Sequence, residues 1–165
     1  MNIQKNQTCC FSGYRPHKLP EGGDEKSEEI KKLKWNLEKE ILIAVKDGYR
    51  YFLSGMAQGF DMFAAESVLG LKKLRFCVRL VAVVPCETQA DNWRNDWRER
   101  YFNILAGCDD VVYIAKRYDG KCMFMRDRFM IDRSGRMITC YDGNGGGTAY
   151  MHRYAKRQGL SIRYV

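Results

Sequence analysis

The chain has 165 residues, of which 45% are hydrophobic and 29% are charged, a balance typical of a globular protein with a buried core. No apolar run approaches the roughly 20 residues that a membrane-spanning helix needs. The first seven residues also lack the apolar core of a secretion signal. We therefore predict a cytoplasmic protein that does not associate with a membrane.

The net charge of +8 is concentrated in the last third of the chain. Residues 1–114 carry 17 basic and 16 acidic side chains, whereas residues 115–165 carry 11 basic and 4 acidic ones. This asymmetry favours an anionic partner near the C-terminal strands. The alternative is a solvated basic face that only increases solubility.

The seven cysteines do not form a metal-binding or redox pattern, because no C-x-x-C pair occurs and their number is odd. Most lie within or beside apolar runs, which indicates small buried side chains in a reducing compartment. His17 and His152 are too isolated to complete a zinc site or a catalytic dyad. The sequence thus predicts no metal and no required cofactor.

The first elements are a short strand and a long helix. Residues 8–14 form an apolar run that ends at a glycine, and residues 15–24 are a polar loop punctuated by proline and glycine. Ser27 can cap a helix that runs to Asp47 and ends before Gly48. The apolar face predicted for this helix comprises Ile30, Leu33, Leu37, Ile41 and Ala44.

The middle of the chain alternates between strands and helices. Residues 51–53 predict a second strand, and residues 61–71 a helix. Residues 78–84 are almost continuously apolar, as in a buried parallel strand, and Pro85 is expected to terminate them. Residues 89–106 predict the next helix.

The last third of the chain continues the alternation. Residues 110–115 predict a fourth strand, 123–132 a helix and 136–141 a fifth strand. A helix over 148–158 is followed by a final edge strand over 161–165.

This order of elements predicts the fold class and the position of a site. Alternating strands and helices indicate a single α/β domain over residues 1–165, with a parallel sheet covered by helices on both faces. Ligands bind to such sheets at the carboxyl ends of the strands, near a topological switch point. Glycines follow three of the predicted strands. They are Gly13, Gly55, Gly59, Gly143, Gly145, Gly146 and Gly147.

Glycine loops at strand ends allow the backbone to approach a phosphate closely. Thr148 can cap the last helix and donate its hydroxyl to the same phosphate. Each glycine alone is compatible with an ordinary turn, but their joint placement predicts a pocket for a phosphorylated ligand, and a nucleotide in particular.

Charged residues near the glycine loops are candidate ligand contacts. Arg15 and Arg126 can bind a phosphate in a bidentate manner, or they can be ordinary surface arginines. Asp61 can cap its helix or accept a hydrogen bond from a ribose or a base. Asp132 follows Arg126 by six residues and falls on a different helix face.

An aromatic series at a spacing of four residues follows the third strand: Trp93, Trp97 and Tyr101. Such a stripe is most often core packing, although it can also stack on a base.

The glycine motifs resemble those of the SLOG superfamily, the Rossmann-like group that joins the DNA-processing protein DprA/Smf with the LOG-type cytokinin-activating phosphoribohydrolases. Residues 11–16 are similar to the opening of its YpsA/YoqJ-like branch. Residues 54–61 resemble the G-x-A-x-G-x-D element shared with DprA, and residues 142–148 resemble the glycine-rich phosphate loop. We call residues 54–61 the first glycine loop and residues 142–148 the second glycine loop. The resemblance implies a Rossmann-like fold, possible homodimers, and ligand binding by Gly55, Ala57, Gly59, Asp61 and the second glycine loop.

The sequence departs from the LOG enzymes at residues implicated in catalysis. Residues 123–130 match the M-H-x-R-K-x-x-M segment at Met123, Arg126 and Met130, but Phe124 replaces the histidine and Asp127 the lysine. Met151 occupies the position of the glutamate implicated in cleaving the N-glycosidic bond. A methionine cannot accept a proton as a carboxylate does. The resemblance therefore favours binding over the LOG reaction.

Three functions remain open from the sequence. The first is binding of a nucleotide or an ADP-ribose-like derivative as a sensor or regulatory module. The second is a nucleotide N-glycosidase or phosphoribohydrolase with a non-standard carboxylate, the carboxylate candidates being Asp61, Asp127 and Asp132. Arg126 is a further candidate catalytic residue. The third is DprA-like binding of single-stranded nucleic acid, which the sequence favours less because no exposed aromatic platform is evident among the basic residues.

Overall fold

Six strands form one parallel sheet in a computed structural model that describes residues 3–165. The strands are β1 (Thr8–Ser12), β2 (Tyr51–Ser54), β3 (Arg79–Cys86), β4 (Asp110–Ala115), β5 (Arg136–Thr139) and β6 (Ser161–Tyr164). The helices between them are α1 (Glu28–Lys46), α2 (Phe60–Lys73), α3 (Asn95–Gly107), α4 (Cys122–Asp132) and α5 (Gly147–Arg157). The predicted α/β fold with a parallel sheet is confirmed.

The strand order places a topological switch point beside β1. The sheet runs β4-β3-β2-β1-β5-β6, so the chain first builds outward from β1 to β4. The connection through α4 then crosses to the other side of β1, where β5 and β6 are added. The carboxyl ends of β1 and β5 therefore diverge into separate loops, which is where sheets of this type bind ligands.

Two helical layers cover the sheet. Cys9 and Phe11 of β1 pack into the core shared with α1, α2 and α3, whereas Cys10 packs into the core formed with α4 and α5. Because successive residues of a strand point to opposite faces, a strand between two helical layers needs apolar residues at nearly every position. The apolar run of β3 is continuous because its residues pack alternately into these two cores.

The first helix forms as its sequence predicts. The Oγ of Ser27 accepts a hydrogen bond from the backbone N–H of Ile30 at 3.3 Å and caps the helix. Gly48 has a φ of 97°, which suits the residue that follows a helix. The predicted inward-facing residues are all buried: Ile30, Leu33, Leu37, Ile41 and Ala44.

Pro85 does not terminate the third strand, contrary to the prediction. The ladder between β2 and β3 ends at the pair Ser54–Ala82, so beyond Ala82 only β4 pairs with β3. Pro85 is flanked by the paired residues Val84 and Cys86, and the strand continues past it. Proline has no backbone N–H to donate to a neighbouring strand. It is therefore tolerated here, where one side of β3 has no neighbouring strand.

The helix expected from residue 89 begins only at Asn95. Consecutive turns precede it, with the N–H of Asp91 bonded to Thr88 O and that of Trp93 to Ala90 O, each at 3.2 Å. The strand predicted over residues 136–141 also ends earlier, at Thr139. Both differences leave longer loops at the carboxyl edge of the sheet.

The aromatic series packs into the core, the more common of its two expected roles. Tyr101 is buried and meets the edge of Trp93 at a ring distance of 5.3 Å. Trp97 packs against the same core. Within residues 3–165, every helix is too short or too polar to cross a bilayer.

Candidate functional site

A cleft of about 300 Å³ opens at the switch point. It lies between the loops that follow β1, β2 and β5 and the first turns of α4 and α5. Eight of the residues predicted to bind a ligand line it: Gly13, Arg15, Ala57, Asp61, Arg126, Gly145, Gly147 and Thr148. Three others, Gly55, Gly59 and Gly146, lie in the same loops without lining the cleft.

The loop after β2 holds Arg126 in place. Its Nη1 donates a hydrogen bond to the carbonyl oxygen of Gly55 at 2.7 Å. A Cβ at position 55 would lie 2.6 Å from Cζ of Arg126 and 2.8 Å from Oδ2 of Asp61. The glycine is therefore required by the protein's own arginine, a role distinct from the phosphate contact that the sequence suggested.

Arg126 lies between two buried carboxylates. Its Nε donates to Oδ1 of Asp127 at 2.7 Å, and its Nη1 lies 3.8 Å from Oδ2 of Asp61. Oδ2 of Asp61 also accepts from the N–H of Ala57 at 3.4 Å. The three charged side chains are each less than a tenth exposed. Two of the arginine nitrogens are thus engaged within the protein.

The burial of these carboxylates changes their acidity. Burial raises the pKa of Asp61 to about 6, although the Arg126 charge partly offsets this effect. Burial likewise raises the pKa of Asp127, again opposed by Arg126. Arg15 contributes a smaller lowering at both carboxyls. Carboxyls with raised pKa in a cleft are suited to proton transfer or to hydrogen bonding with a ligand.

Two further glycines allow the loops to pack against each other. Gly59 has a φ of 90°, and a Cβ there would lie 2.8 Å from the carbonyl oxygen of Tyr14. That carbonyl accepts a hydrogen bond from the N–H of Phe60 at 3.2 Å. A Cβ on Gly13 would lie 2.6 Å from Cβ of Phe60. These positions fix the relative placement of the first two loops.

The loop between β5 and α5 differs from the other two. At Gly145 and Gly147 an added Cβ would meet no heavy atom of residues 3–165 within 4 Å, and neither glycine has a positive φ. The protein's own packing therefore does not require glycine at these two positions. Both line the cleft, so their bare backbone is open to whatever enters it.

The predicted cap at Thr148 is not formed. Helix α5 is capped by Gly146 without a side-chain hydrogen bond. The Oγ1 of Thr148 instead donates to the carbonyl oxygen of Gly13 at 3.3 Å, because the loop after β1 lies against the start of this helix. The first turn of α5 thus keeps its backbone N–H groups free of any side-chain cap.

Tyr14 holds the second glycine loop from the loop that follows the neighbouring parallel strand β1. Its hydroxyl donates to Oδ1 of Asp142 and accepts from the Asp142 N–H at 3.2 Å. This hydrogen bond lowers the pKa of Asp142. Asp142 also accepts from the backbone and side chain of Asn144, and Lys18 donates to the Gly145 carbonyl oxygen at 3.3 Å.

Several lining residues were not among the predicted ligand contacts: Tyr14, His17, Lys18, Met123, Phe124, Asp127 and Met151. The first three lie in the segment after β1, where His17 and Lys18 belong to a single 3-10 turn (Pro16–Lys18) that is too short for a periodic pattern to mark function. Asp132 lies outside the cleft, because it ends α4 whereas the N-terminal half of that helix, up to Asp127, borders the cleft. It is exposed and accepts a hydrogen bond from the hydroxyl of Tyr154 at 2.9 Å.

The outer face of α4 and α5 carries interleaved aromatic and basic side chains, which the sequence did not reveal. We call Phe124, Arg128, Tyr150, Tyr154 and Arg157 the α4–α5 surface. The rings of Tyr150 and Tyr154 stack at 6.2 Å, and Arg128 and Arg157 lie 5.5 and 5.7 Å from the Tyr154 ring centre. Helical spacing gathers here aromatic and basic side chains that are dispersed along the chain; the Phe124 ring is exposed, whereas the rings of Tyr150 and Tyr154 are half-buried.

Solved structures support the fold. The DNA processing protein A of Helicobacter pylori is 16% identical with a TM-score of 0.64, covering 98% of this chain and 69% of that one. The corresponding protein of Streptococcus pneumoniae is 14% identical with a TM-score of 0.61, covering 95% and 49%.

The sequence comparisons identify the family. A UPF0398 protein of Lysinibacillus sphaericus is 30% identical over 150 residues, which cover 89% of this chain and 83% of the relative. The family model for YpsA, described as the YspA SLOG family, matches residues 9–165. Because that match covers nearly the whole chain, the protein belongs to the YspA SLOG family.

Proposed function

We propose that the cleft binds the phosphate of a nucleotide or nucleotide derivative, and that the protein acts as a nucleotide-binding module. The observation that carries this proposal is the start of α5, where a helix without a side-chain cap presents bare glycine backbone to the cleft. Free N–H groups and the helix dipole together favour an anion at such a position.

The charges around the cleft fit a ligand with an anionic group and sugar hydroxyls. Arg15 and Lys18 supply positive charge on the side of the loop after β1. Asp61 and Asp127 supply hydrogen-bond acceptors, and Arg126 compensates part of their charge. A volume of about 300 Å³ is at the lower end of the range of small-molecule pockets.

Isothermal titration calorimetry and thermal unfolding with inorganic phosphate, AMP, ADP and ADP-ribose test this proposal. A bound ligand at a hundredfold excess over its Kd stabilises the fold by about 2.7 kcal/mol. We expect Lys18→Ala to weaken nucleotide binding about tenfold, the effect of about 1.4 kcal/mol of lost interaction. Lys32→Ala, at an exposed lysine of α1, serves as the matched control. If none of the four ligands binds, the proposal is wrong.

The buried carboxylates support a second candidate function, hydrolysis of the N-glycosidic bond of a nucleotide. Asp61 and Asp127 line the cleft and have raised pKa values, as a general acid requires. Release of free base from nucleoside monophosphates, followed by chromatography, measures this activity. Asp127→Asn should abolish it and Asp132→Asn, outside the cleft, should not. The absence of turnover with all common nucleotides would exclude this function.

The α4–α5 surface supports a third candidate function, binding of single-stranded nucleic acid. The exposed ring of Phe124 and the half-buried rings of Tyr150 and Tyr154 lie beside arginines, a combination that can provide stacking and phosphate contacts without sequence preference. The DNA processing protein A of Helicobacter pylori, which has this fold, is described by its single-stranded DNA binding mode. A gel shift with a labelled oligonucleotide should weaken steeply with salt and be lost in Arg128→Ala/Arg157→Ala. No shift at low salt would remove this candidate.

A further inference from the structure

A second pocket of about 380 Å³ adjoins the cleft at the carboxyl end of β3. Arg15 and Met123 line both cavities, so these two side chains form the wall between them. The rest of the second pocket comes mainly from the turns over residues 86–93 and from Tyr118. These are the turns that replace the predicted start of α3.

The second pocket differs from the cleft in its chemistry. Among its lining residues only Arg15 is basic, and that residue belongs to both cavities. Trp93 and Tyr118 contribute aromatic rings, and Asp91 and Asn92 contribute exposed carboxylate and amide groups. Aromatic faces bind bases, and carboxylate and amide oxygens accept hydrogen bonds from hydroxyl and amino groups. The pocket therefore suits an uncharged sugar or base rather than a second phosphate.

Gln89 adds a buried acceptor to this pocket. Its Nε2 donates to the carbonyl oxygen of Met56 at 2.8 Å, which fixes the orientation of the amide. Its Oε1 is buried without a hydrogen-bond partner among residues 3–165. Buried polar atoms are seldom left unpaired, and such an atom calls for an explanation. A hydroxyl or amino donor from a ligand in this pocket would pair with it.

We propose that the second pocket holds the nucleoside or sugar end of an extended ligand whose phosphate lies in the cleft. This inference rests on the function proposed above. Arg15, in the shared wall, contacts the phosphates that join the two parts, because its guanidinium matches phosphate oxygens in a bidentate manner. The ligand class is a diphosphate with a sugar or nucleoside at each end, of which ADP-ribose is the simplest probe.

Titration calorimetry with AMP and ADP-ribose tests the two cavities separately. We expect ADP-ribose to bind at least tenfold more tightly than AMP, because only the longer ligand reaches the second pocket. The double variant Asn92→Ala/Tyr118→Ala should remove this advantage and leave the affinity for AMP unchanged. Both side chains are exposed, so the variant is expected to fold. Tyr113→Ala, at another exposed tyrosine, is the matched control.

The outcomes distinguish this inference from the function on which it rests. If AMP binds and ADP-ribose binds no more tightly, the second-pocket proposal is wrong while nucleotide binding stands. The same conclusion follows if the double variant keeps the preference for ADP-ribose, or if it loses both ligands equally. If neither ligand binds, both proposals fail.

Discussion

The guanidinium of Arg126 occupies the space that a side chain at position 55 would fill. Gly55 lies 71 residues earlier in the chain, at the end of the neighbouring strand β2, and its carbonyl oxygen accepts from Nη1 of Arg126. The first glycine loop thus makes room for the charged side chain of Arg126 from α4 and accepts a hydrogen bond from it. It shapes one wall of the cleft, while the second loop offers its backbone to the interior.

Substituting Gly55 should destabilise the protein strongly. In Gly55→Ala the new methyl group would collide with Cζ of Arg126, which is itself held by hydrogen bonds. We expect a loss of about 1–3 kcal/mol in the free energy of unfolding, measured by urea denaturation, because overpacked buried sites relax poorly. Gly70→Ala, in the exposed part of α2 with no atom near its Cβ, should instead stabilise by about 0.5–1 kcal/mol. Equal stability of the two variants would contradict the proposed role of Gly55.

Removing Arg126 should leave two uncompensated buried carboxyls. We expect Arg126→Ala to cost about 3–5 kcal/mol at pH 7, the usual effect of breaking a buried ion pair from one side. The added substitution Asp127→Asn should recover part of this loss, since it removes one of the stranded charges. Chemical denaturation of the single and double variants measures both effects. A double variant that is less stable than Arg126→Ala would contradict the assignment.

Asp61 should make stability depend on pH between about 4 and 6. Its pKa in the folded protein, about 6, is above the ordinary value of 3.8, so the folded state binds this proton more tightly than the unfolded state. The stability that the group contributes is fully present below pH 3.8 and is lost as pH rises through 6. Relative to wild type, Asp61→Asn should therefore gain up to about 2 kcal/mol between pH 4 and pH 7. Parallel denaturation series at several pH values would show this, and a constant difference would disprove it.

Gly147→Ala tests whether the glycine at this position is needed for ligand binding or for the packing of the protein. Within the described part of the chain the methyl group would meet no atom within 4 Å, and alanine is a good residue for the first turn of a helix. We expect unchanged or slightly higher thermal stability, with nucleotide affinity at least tenfold weaker because the methyl group enters the cleft. Retention of full affinity would show that the ligand does not approach this backbone.

Tyr14→Phe tests the connection between the loops after β1 and β5. The hydroxyl is the partner of both the side chain and the N–H of Asp142. Its loss should cost about 1 kcal/mol in stability and increase hydrogen exchange over residues 142–147. Exchange measured by mass spectrometry would reveal the change. Unaltered protection of that segment would mean that other contacts hold the loop.

The parts of the fold that depend on local patterns were predicted from the sequence. The apolar face of α1 follows from helical spacing. The parallel sheet follows from the alternation of strands and helices along the chain. The end of β3 was not predictable in this way. Pro85 is tolerated because β2 stops at Ser54, a property of a different segment.

The site was predicted in position but not in the roles of its glycines. Sequence motifs placed the glycine loops at the strand ends, and most of the predicted residues do line the cleft. The sequence cannot show whether a glycine makes room for a ligand or for a side chain such as Arg126, because the partner is distant along the chain. The role of Tyr14 was not predictable for a similar reason, since its hydrogen-bond partner Asp142 lies 128 residues away along the chain.

The position of β1 at the centre of the sheet has a consequence for biosynthesis. One edge of β1 pairs with β2. The other edge stays unpaired until β5 is synthesised, which happens only after β4 and the crossing helix α4. An unpaired central strand is exposed to intermolecular pairing during this interval. The cleft is completed by the same late event, since Arg126 and the loop of Asp142 arrive with α4 and β5. A chain truncated after β4 would therefore contain the first glycine loop and still lack the cleft.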